Sequence, residues 1–218
     1  MPIECKICGL KSTADLNTAA KHGAQWAGFV IYEPSPRHLP PAAAASLINA
    51  ADTADINSVA VLVDPDDAQI DALLQKCRPS ALQLSGRETT ERVADIKKRH
   101  APQVFKTFYV GDKDDFPSAR AYAAVADRLL LEAPPPPGGL PGGNALPLDW
   151  RLLRDLALPS PWFLAGGLNA GNLAEAVAVS GANAVDVSSG VETARGVKSP
   201  ERIRDFLLAA AEISQSAP

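Results

Sequence analysis

Cys8 closes the segment Lys6-Ile7-Cys8-Gly9, and far along the chain Ala165-Gly166-Gly167-Leu168 and Asp186-Val187-Ser188-Ser189-Gly190-Val191-Glu192 gather glycines, hydroxyls and carboxylates. A thiol at a strand end becomes a base or nucleophile when nearby positive charge favours its thiolate. Glycine-rich turns that open onto helices present backbone N–H groups and a positive dipole end, the usual seat of a phosphate. Gly166 and Gly167 with Ser188, Ser189 and Gly190 therefore form a candidate phosphate cradle, against the plainer reading that the glycines serve turn geometry alone. A thiol and a cradle from opposite ends of one chain meet only if the chain closes on itself, so the pattern predicts a closed barrel.

The elements needed to close it are present. Short apolar runs at Ile3–Cys8, Trp26–Ile31, Ser58–Val63, Ala81–Leu84, Val104–Thr107, Arg128–Leu131, Trp162–Ala165 and Ala184–Val187 read as eight strands. Amphipathic segments at Ala14–His22, Ala42–Ala51, Asp66–Lys76, Glu88–Arg99, Pro117–Val125, Asp149–Leu156, Ala170–Val179 and Glu201–Ala211 read as the helices between and after them. Ser12-Thr13, Asn169 and Ser199-Pro200 are placed to cap three of these helices. Eight βα units over 1–218 make one (β/α)8 barrel domain of about 27 residues per unit. A doubly wound open sheet is the alternative, but no Gly-x-Gly-x-x-Gly follows the first strand.

Strand alternation says which side chains enter the lumen. Ile3, Cys5 and Ile7 share one face of the first strand, and Glu4, Lys6 and Cys8 the other. On the last strand Asp186 and Ser188 oppose Val185 and Val187. A barrel strand has no solvent face, so the polar set must point inward and find partners there. The first and last strands become neighbours on closure, so Lys6 and Asp186 can meet as an interior ion pair. The alternative is a Lys6 that snorkels to the rim.

Composition narrows the rest. The 218 residues carry a net charge of -4 and no basic run, which argues against nucleic acid. Three cysteines, no signal peptide and no apolar run of roughly 18 residues point to the reducing cytoplasm, with no membrane and no disulfide framework. Cys5 and Cys8 match Cys-x-x-Cys, yet residues three apart on a strand face opposite ways, so neither a redox pair nor a zinc half-site is expected. Cys77 reads as packing. Pro134 to Pro137 followed by Gly138-Gly139-Leu140-Pro141-Gly142-Gly143 lie on the rim and read either as a lid with glycine hinges or as an irregular linker.

Taken in order, several segments resemble the phosphoribosylanthranilate isomerases, barrel enzymes of tryptophan biosynthesis. They are Lys6-Ile7-Cys8-Gly9, Gly28-Phe29-Val30, Ser35-Pro36-Arg37, Gln83-Leu84, Gly142-Gly143, Asp149-Trp150, Ala165-Gly166-Gly167-Leu168 and Asp186 through Glu192. The resemblance implies an Amadori rearrangement of N-(5-phosphoribosyl)anthranilate to 1-(2-carboxyphenylamino)-1-deoxyribulose 5-phosphate. Proton transfer alone performs it, without metal or cofactor. It implies Cys8 as base, with nearby cationic charge expected to lower its pKa, and Glu132 as acid, where the family pattern has aspartate. It implies Arg37 as partner of the anthranilate carboxylate, with Asp186 as a second substrate-binding residue. Ala145 and Ser85 depart from the pattern as well, replacing a glycine and a histidine. Two rival classes stay open: another phosphosugar-binding barrel enzyme, either an isomerase or an aldolase, which if of the Schiff-base type would use Lys6 or Lys106, and a phosphosugar-binding protein without activity. The sequence leaves monomer or homodimer undecided.

Overall fold

A computed structural model describes residues 2–100, 102–136, 139 and 148–216. Eight parallel strands close into a barrel in sequential order: β1 (Glu4–Cys8), β2 (Trp26–Val30), β3 (Asn57–Leu62), β4 (Ala81–Leu84), β5 (Gln103–Tyr109), β6 (Arg128–Glu132), β7 (Trp162–Leu164) and β8 (Ala184–Val187). Closure pairs β1 with β8 in a register that sets Lys6 beside Asp186. The helices are α1 (Thr13–Lys21), α2 (Pro41–Thr53), α3 (Asp67–Leu74), α4 (Thr90–Arg99), α5 (Phe116–Val125), α6 (Trp150–Arg154), α7 (Leu173–Ser180) and α8 (Pro200–Ser216). None of the described helices is long and apolar enough to cross a membrane.

Period-two alternation sorts the strand residues into two cores. Cys5, Ile7, Val185 and Val187 pack outward beneath the helices, while Cys8, Val30, Val61, Phe105, Leu130 and Phe163 fill the lumen. Cys5 and Cys8 thus face opposite sides of β1, as the spacing required. The amino-terminal end of the lumen is plugged. Trp26, Phe105 and Phe163 meet with centroids 5.1 and 5.8 Å apart, and the Arg128 guanidinium lies 5.2 Å from the Phe163 ring, held by Glu4 at 2.7 Å. Access to the barrel is therefore confined to its carboxy-terminal end.

Local differences from the sequence expectation have local causes. Ser12 caps α1 by accepting from the Asp15 amide, and Ser199 does the same for Arg202 in the first turn of α8. Asn169 is not the cap of α7. Its Oδ1 accepts from the Gly171 amide in a tight turn, so the helix begins three residues later with Asn172 at the cap position. A hairpin follows β8, with β9 (Glu192–Ala194) antiparallel to β10 (Val197–Lys198). Cys77 is buried, with its thiol directed at the Leu73 carbonyl. Most of the proline and glycine loop after β6, the expected lid, lies outside the described residues.

Candidate active site

Strand ends converge on one cavity at the open end of the barrel, lined by Cys8, Arg37, Gln83, Glu132, Asp186 and Ser188. Cys8 ends β1 and faces β2 at Gly28, where any Cβ would come within 2.9 Å of the Cys8 sulfur. Glycine there makes room for the thiol. One pleat below, Lys6 is fully buried and donates to Asp186 at 2.7 Å. Burial is the largest single influence on the Lys6 pKa and pulls it down, but Asp186 and Cys8 together outweigh it and the net direction is up. The rim-snorkelling alternative is excluded, and so is a neutral amine ready to form a Schiff base. Lys106 fares no better as an aldolase lysine. It points out of the barrel to Glu88 at 3.0 Å and to the Leu84 and Gly86 carbonyls.

Burial dominates the electrostatics of the two proposed proton-transfer groups. Glu132 ends β6 inside the cavity, and its pKa rises from 4.5 to about 8 because burial removes water and Asp186 repels its charge, against weaker pulls from Lys6 and Arg37. The Cys8 thiol is also pushed up, first by burial, although Lys6 and Lys198 draw it down. The expected cations are present, but they do not lower the thiol below its ordinary value. Desolvation is the larger effect.

Arg37, in the loop after β2, is only 5% exposed and is engaged side-on by Glu192, with Nε to Oε1 at 2.7 Å and Nη2 to Oε2 at 2.9 Å. Lys198 donates to Glu192 at 2.7 Å and to the carbonyl and hydroxyl of Ser188 at 2.9 and 3.2 Å. The Ser188 hydroxyl donates a hydrogen bond to the Cys8 carbonyl at 3.0 Å, so it is committed to the frame of the site. Glu192 is held well below the usual carboxylate range, at about 2, where bonds from Arg37 and Lys198 overcome its burial. The loops after β7 and β8 interlock. Gly166 and Gly167 take φ of 89° and 68°, and Gly190 lies directly on the Leu168 carbonyl, where a Cβ would collide. The amides of Gly167, Ser189 and Gly190 have no acceptor among the described residues.

Glu192, Lys198 and Thr107 also belong to the site, though their sequence context alone assigns them no role. Gln83 donates to Ser85 at 3.1 Å and Thr107 at 3.2 Å, and the two hydroxyls are 2.8 Å apart. Their inward parity on β4 and β5 was the available signal.

Residues 5–209 match the family model described as N-(5'phosphoribosyl)anthranilate (PRA) isomerase. The chain belongs to this family. N-(5'-phosphoribosyl)anthranilate isomerase of Paramagnetospirillum magneticum is 48% identical over 211 residues, covering 96% of this chain and 98% of that one. The isomerase of Rhodopseudomonas palustris strain BisA53 is 46% identical, covering 96% of each. Among solved structures, phosphoribosylanthranilate isomerase from Thermus thermophilus superposes with a TM-score of 0.83 at 29% identity, covering 97% of this chain and 100% of that chain. A phosphoribosylanthranilate isomerase in complex with reduced 1-(o-carboxyphenylamino)-1-deoxyribulose 5-phosphate gives a TM-score of 0.81, also at 29% identity, covering 95% and 98%.

Proposed function

We propose that this chain isomerises N-(5'-phosphoribosyl)anthranilate to 1-(o-carboxyphenylamino)-1-deoxyribulose 5-phosphate for tryptophan biosynthesis, with Glu132 as acid and Cys8 as base. The observation that carries this reading is a buried carboxyl, Glu132, and a buried thiol, Cys8, lining one cavity, with burial pushing the carboxyl pKa up to about 8. Glu132 gives its proton to the furanose ring oxygen as the bond from that oxygen to C1 breaks. The anilino nitrogen lone pair fills the gap at C1 and leaves a protonated Schiff base. Cys8 as thiolate then takes the proton from C2, and the C–H electrons form the enamine, which tautomerises to the ketone. C2 rises to the ketone level as C1 falls to the amine level, so the redox change is internal and no outside oxidant or reductant is needed. Glu132 and Cys8 stand on β6 and β1, three strands apart around the barrel, which suits groups that act on different atoms of one sugar.

In this reading the free amides of Gly167, Ser189 and Gly190 hold the phosphate, beside Gly166 and Ser188, which shape the loops. Arg37 receives the anthranilate carboxylate, and Asp186 fixes Lys6 while facing the sugar. No cofactor takes part, and we assign the enzyme to the cytoplasm, where three unpaired cysteines stay reduced. Purified protein should consume the fluorescent substrate at the same rate with and without EDTA. Absence of turnover in both conditions would refute the assignment.

A further inference from the structure

Glu192 is buried in the hairpin after β8 and touches no atom of the proposed reaction, yet its carboxylate binds two cations, Arg37 and Lys198, that lead to the site. Oε1 accepts from Arg37 Nε and Lys198 Nζ, each at 2.7 Å, and Oε2 accepts from Arg37 Nη2 at 2.9 Å and the Gly196 amide at 3.1 Å. We propose that Glu192 is a positioning residue that turns Arg37 edge-on to the substrate carboxylate and, through Lys198, locks the loop after β8 behind the thiol. The proposal rests on the reading of Arg37 as the carboxylate's partner.

The argument begins with the shape of a guanidinium. It has five N–H donors in a fixed plane, arranged so that two edges can each grip a carboxylate with a pair of bonds. Glu192 occupies the Nε and Nη2 edge. The Nη1 and Nη2 edge is left, and Nη1 has no partner among the described residues. Without the first carboxylate, the long Arg37 side chain would have several rotamers to choose between. With it, one planar orientation remains, and the order is imposed before substrate arrives.

Charge points the same way. Two cations, Arg37 and Lys198, surround a single anion, and all three are almost wholly buried, with side-chain exposures of 6%, 1% and 4% for Arg37, Lys198 and Glu192. A buried cluster with one positive charge in excess is costly unless an anion joins it. Lys198 spends its donors on Glu192 and Ser188, so the edge open for an incoming carboxylate to bind is that of Arg37. An aromatic carboxylate arriving there completes the balance. The hairpin is itself held against the Arg37 loop, since Gly196 at φ 80° lies on the Pro36 carbonyl with no space for a Cβ.

The test compares two substrates, N-(5'-phosphoribosyl)anthranilate and the aniline analogue that lacks the carboxylate, on Glu192→Gln, Glu192→Asp and Arg37→Ala. Glu192→Gln should raise KM for the anthranilate about 10- to 100-fold, the scale of losing charge-assisted bonds, with a smaller change in kcat. It should lower kcat/KM for the aniline by no more than about threefold, a minor effect that enters through Ser188. Glu192→Asp keeps the charge pairing, and with it the fold, but shortens the reach, so its KM for the anthranilate should fall between wild type and Gln. Equal losses on both substrates in either folded Glu192 variant would overturn the proposal and make Glu192 a structural strut. If Arg37→Ala discriminates between the substrates while neither Glu192 variant does, the positioning role alone fails. If Arg37→Ala does not discriminate, the reading of Arg37 fails and the proposal with it.

Discussion

Replacing Glu132 by glutamine should silence the enzyme and stabilise it, and the two effects have one origin. The amide keeps the size of the side chain but has no acidic proton to give to the ring oxygen, so turnover should fall by at least about a hundredfold, the scale of general acid catalysis. The stability effect follows from the pKa. In the unfolded chain the carboxyl ionises near its ordinary value, while in the fold it stays protonated until about pH 8. Unfolding between those values releases a proton, so stability declines as pH rises from about 4.5 to about 8, is unaffected below that window and is fully reduced above it. Moving a carboxyl from 4.5 to about 8 corresponds, at about 1.4 kcal/mol per pH unit, to a ceiling of roughly 5 kcal/mol, since the loops can admit water to the charge. Glutamine never ionises and escapes this cost. At about 2–4 °C per kcal/mol for a chain of this size, the variant should unfold several degrees above wild type at pH 8 and level with it at pH 5. Thermal melts of both proteins across that range, beside kcat measurements, check the reasoning. A constant gap in Tm from pH 5 to 8, or a variant that turns over like wild type, would refute it.

The thiol and the phosphate cradle yield two shorter expectations. Cys8→Ala should cut kcat by orders of magnitude while product-analogue binding holds, whereas Cys5→Ala, which removes an outward-facing thiol whose pKa burial lifts to about 12, should cost little activity. Comparable losses in two folded proteins would show that the wrong face of β1 has been chosen. Gly190→Ala must push the loop off the Leu168 carbonyl, so it should raise KM strongly, and inorganic phosphate should compete with substrate less well than in wild type; an unchanged KM and phosphate inhibition constant would move the phosphate elsewhere.

The parts of the molecule that sequence could foretell are those governed by parity and closure. Lys6 and Asp186 were paired in advance because each lies on the inward face of its strand and a closed barrel makes β1 and β8 neighbours. The fate of Cys5 and Cys8 followed from the same rule. Glu192 and Lys198 escaped because they sit on strands of three and two residues, too short for any periodicity to speak. The Arg37 partnership spans 155 positions with no ladder to transmit the register. Asn169 misled because its side chain suits a turn as well as a cap, and only the neighbouring backbone decides. The direction of the Cys8 pKa could not be read either. Charges are countable in a sequence, but the loss of water around a thiol is a property of the closed cavity.

That loss of water acts on acid and base in opposite senses. A dry cavity keeps Glu132 protonated, as ring opening requires, and by the same means it keeps Cys8 protonated, which proton removal from C2 cannot use. The arrangement of charge eases the conflict without abolishing it. Asp186 pushes both groups up, while Lys6 and Lys198 draw the thiol down and Lys6 and Arg37 draw the carboxyl down. In the proposed mechanism the substrate supplies what the protein lacks. Proton transfer from Glu132 opens the ring and creates a cationic Schiff base, and a positive charge arriving beside a buried thiol lowers its pKa. The same cation withdraws electrons from C2 and makes its proton easier to remove. The base is thus activated by the product of the acid step, and the thiol proton goes to the carboxylate that ring opening leaves on Glu132 in the same cavity, so one water-poor cavity holds a neutral carboxyl and still generates a thiolate when the C2 proton must leave.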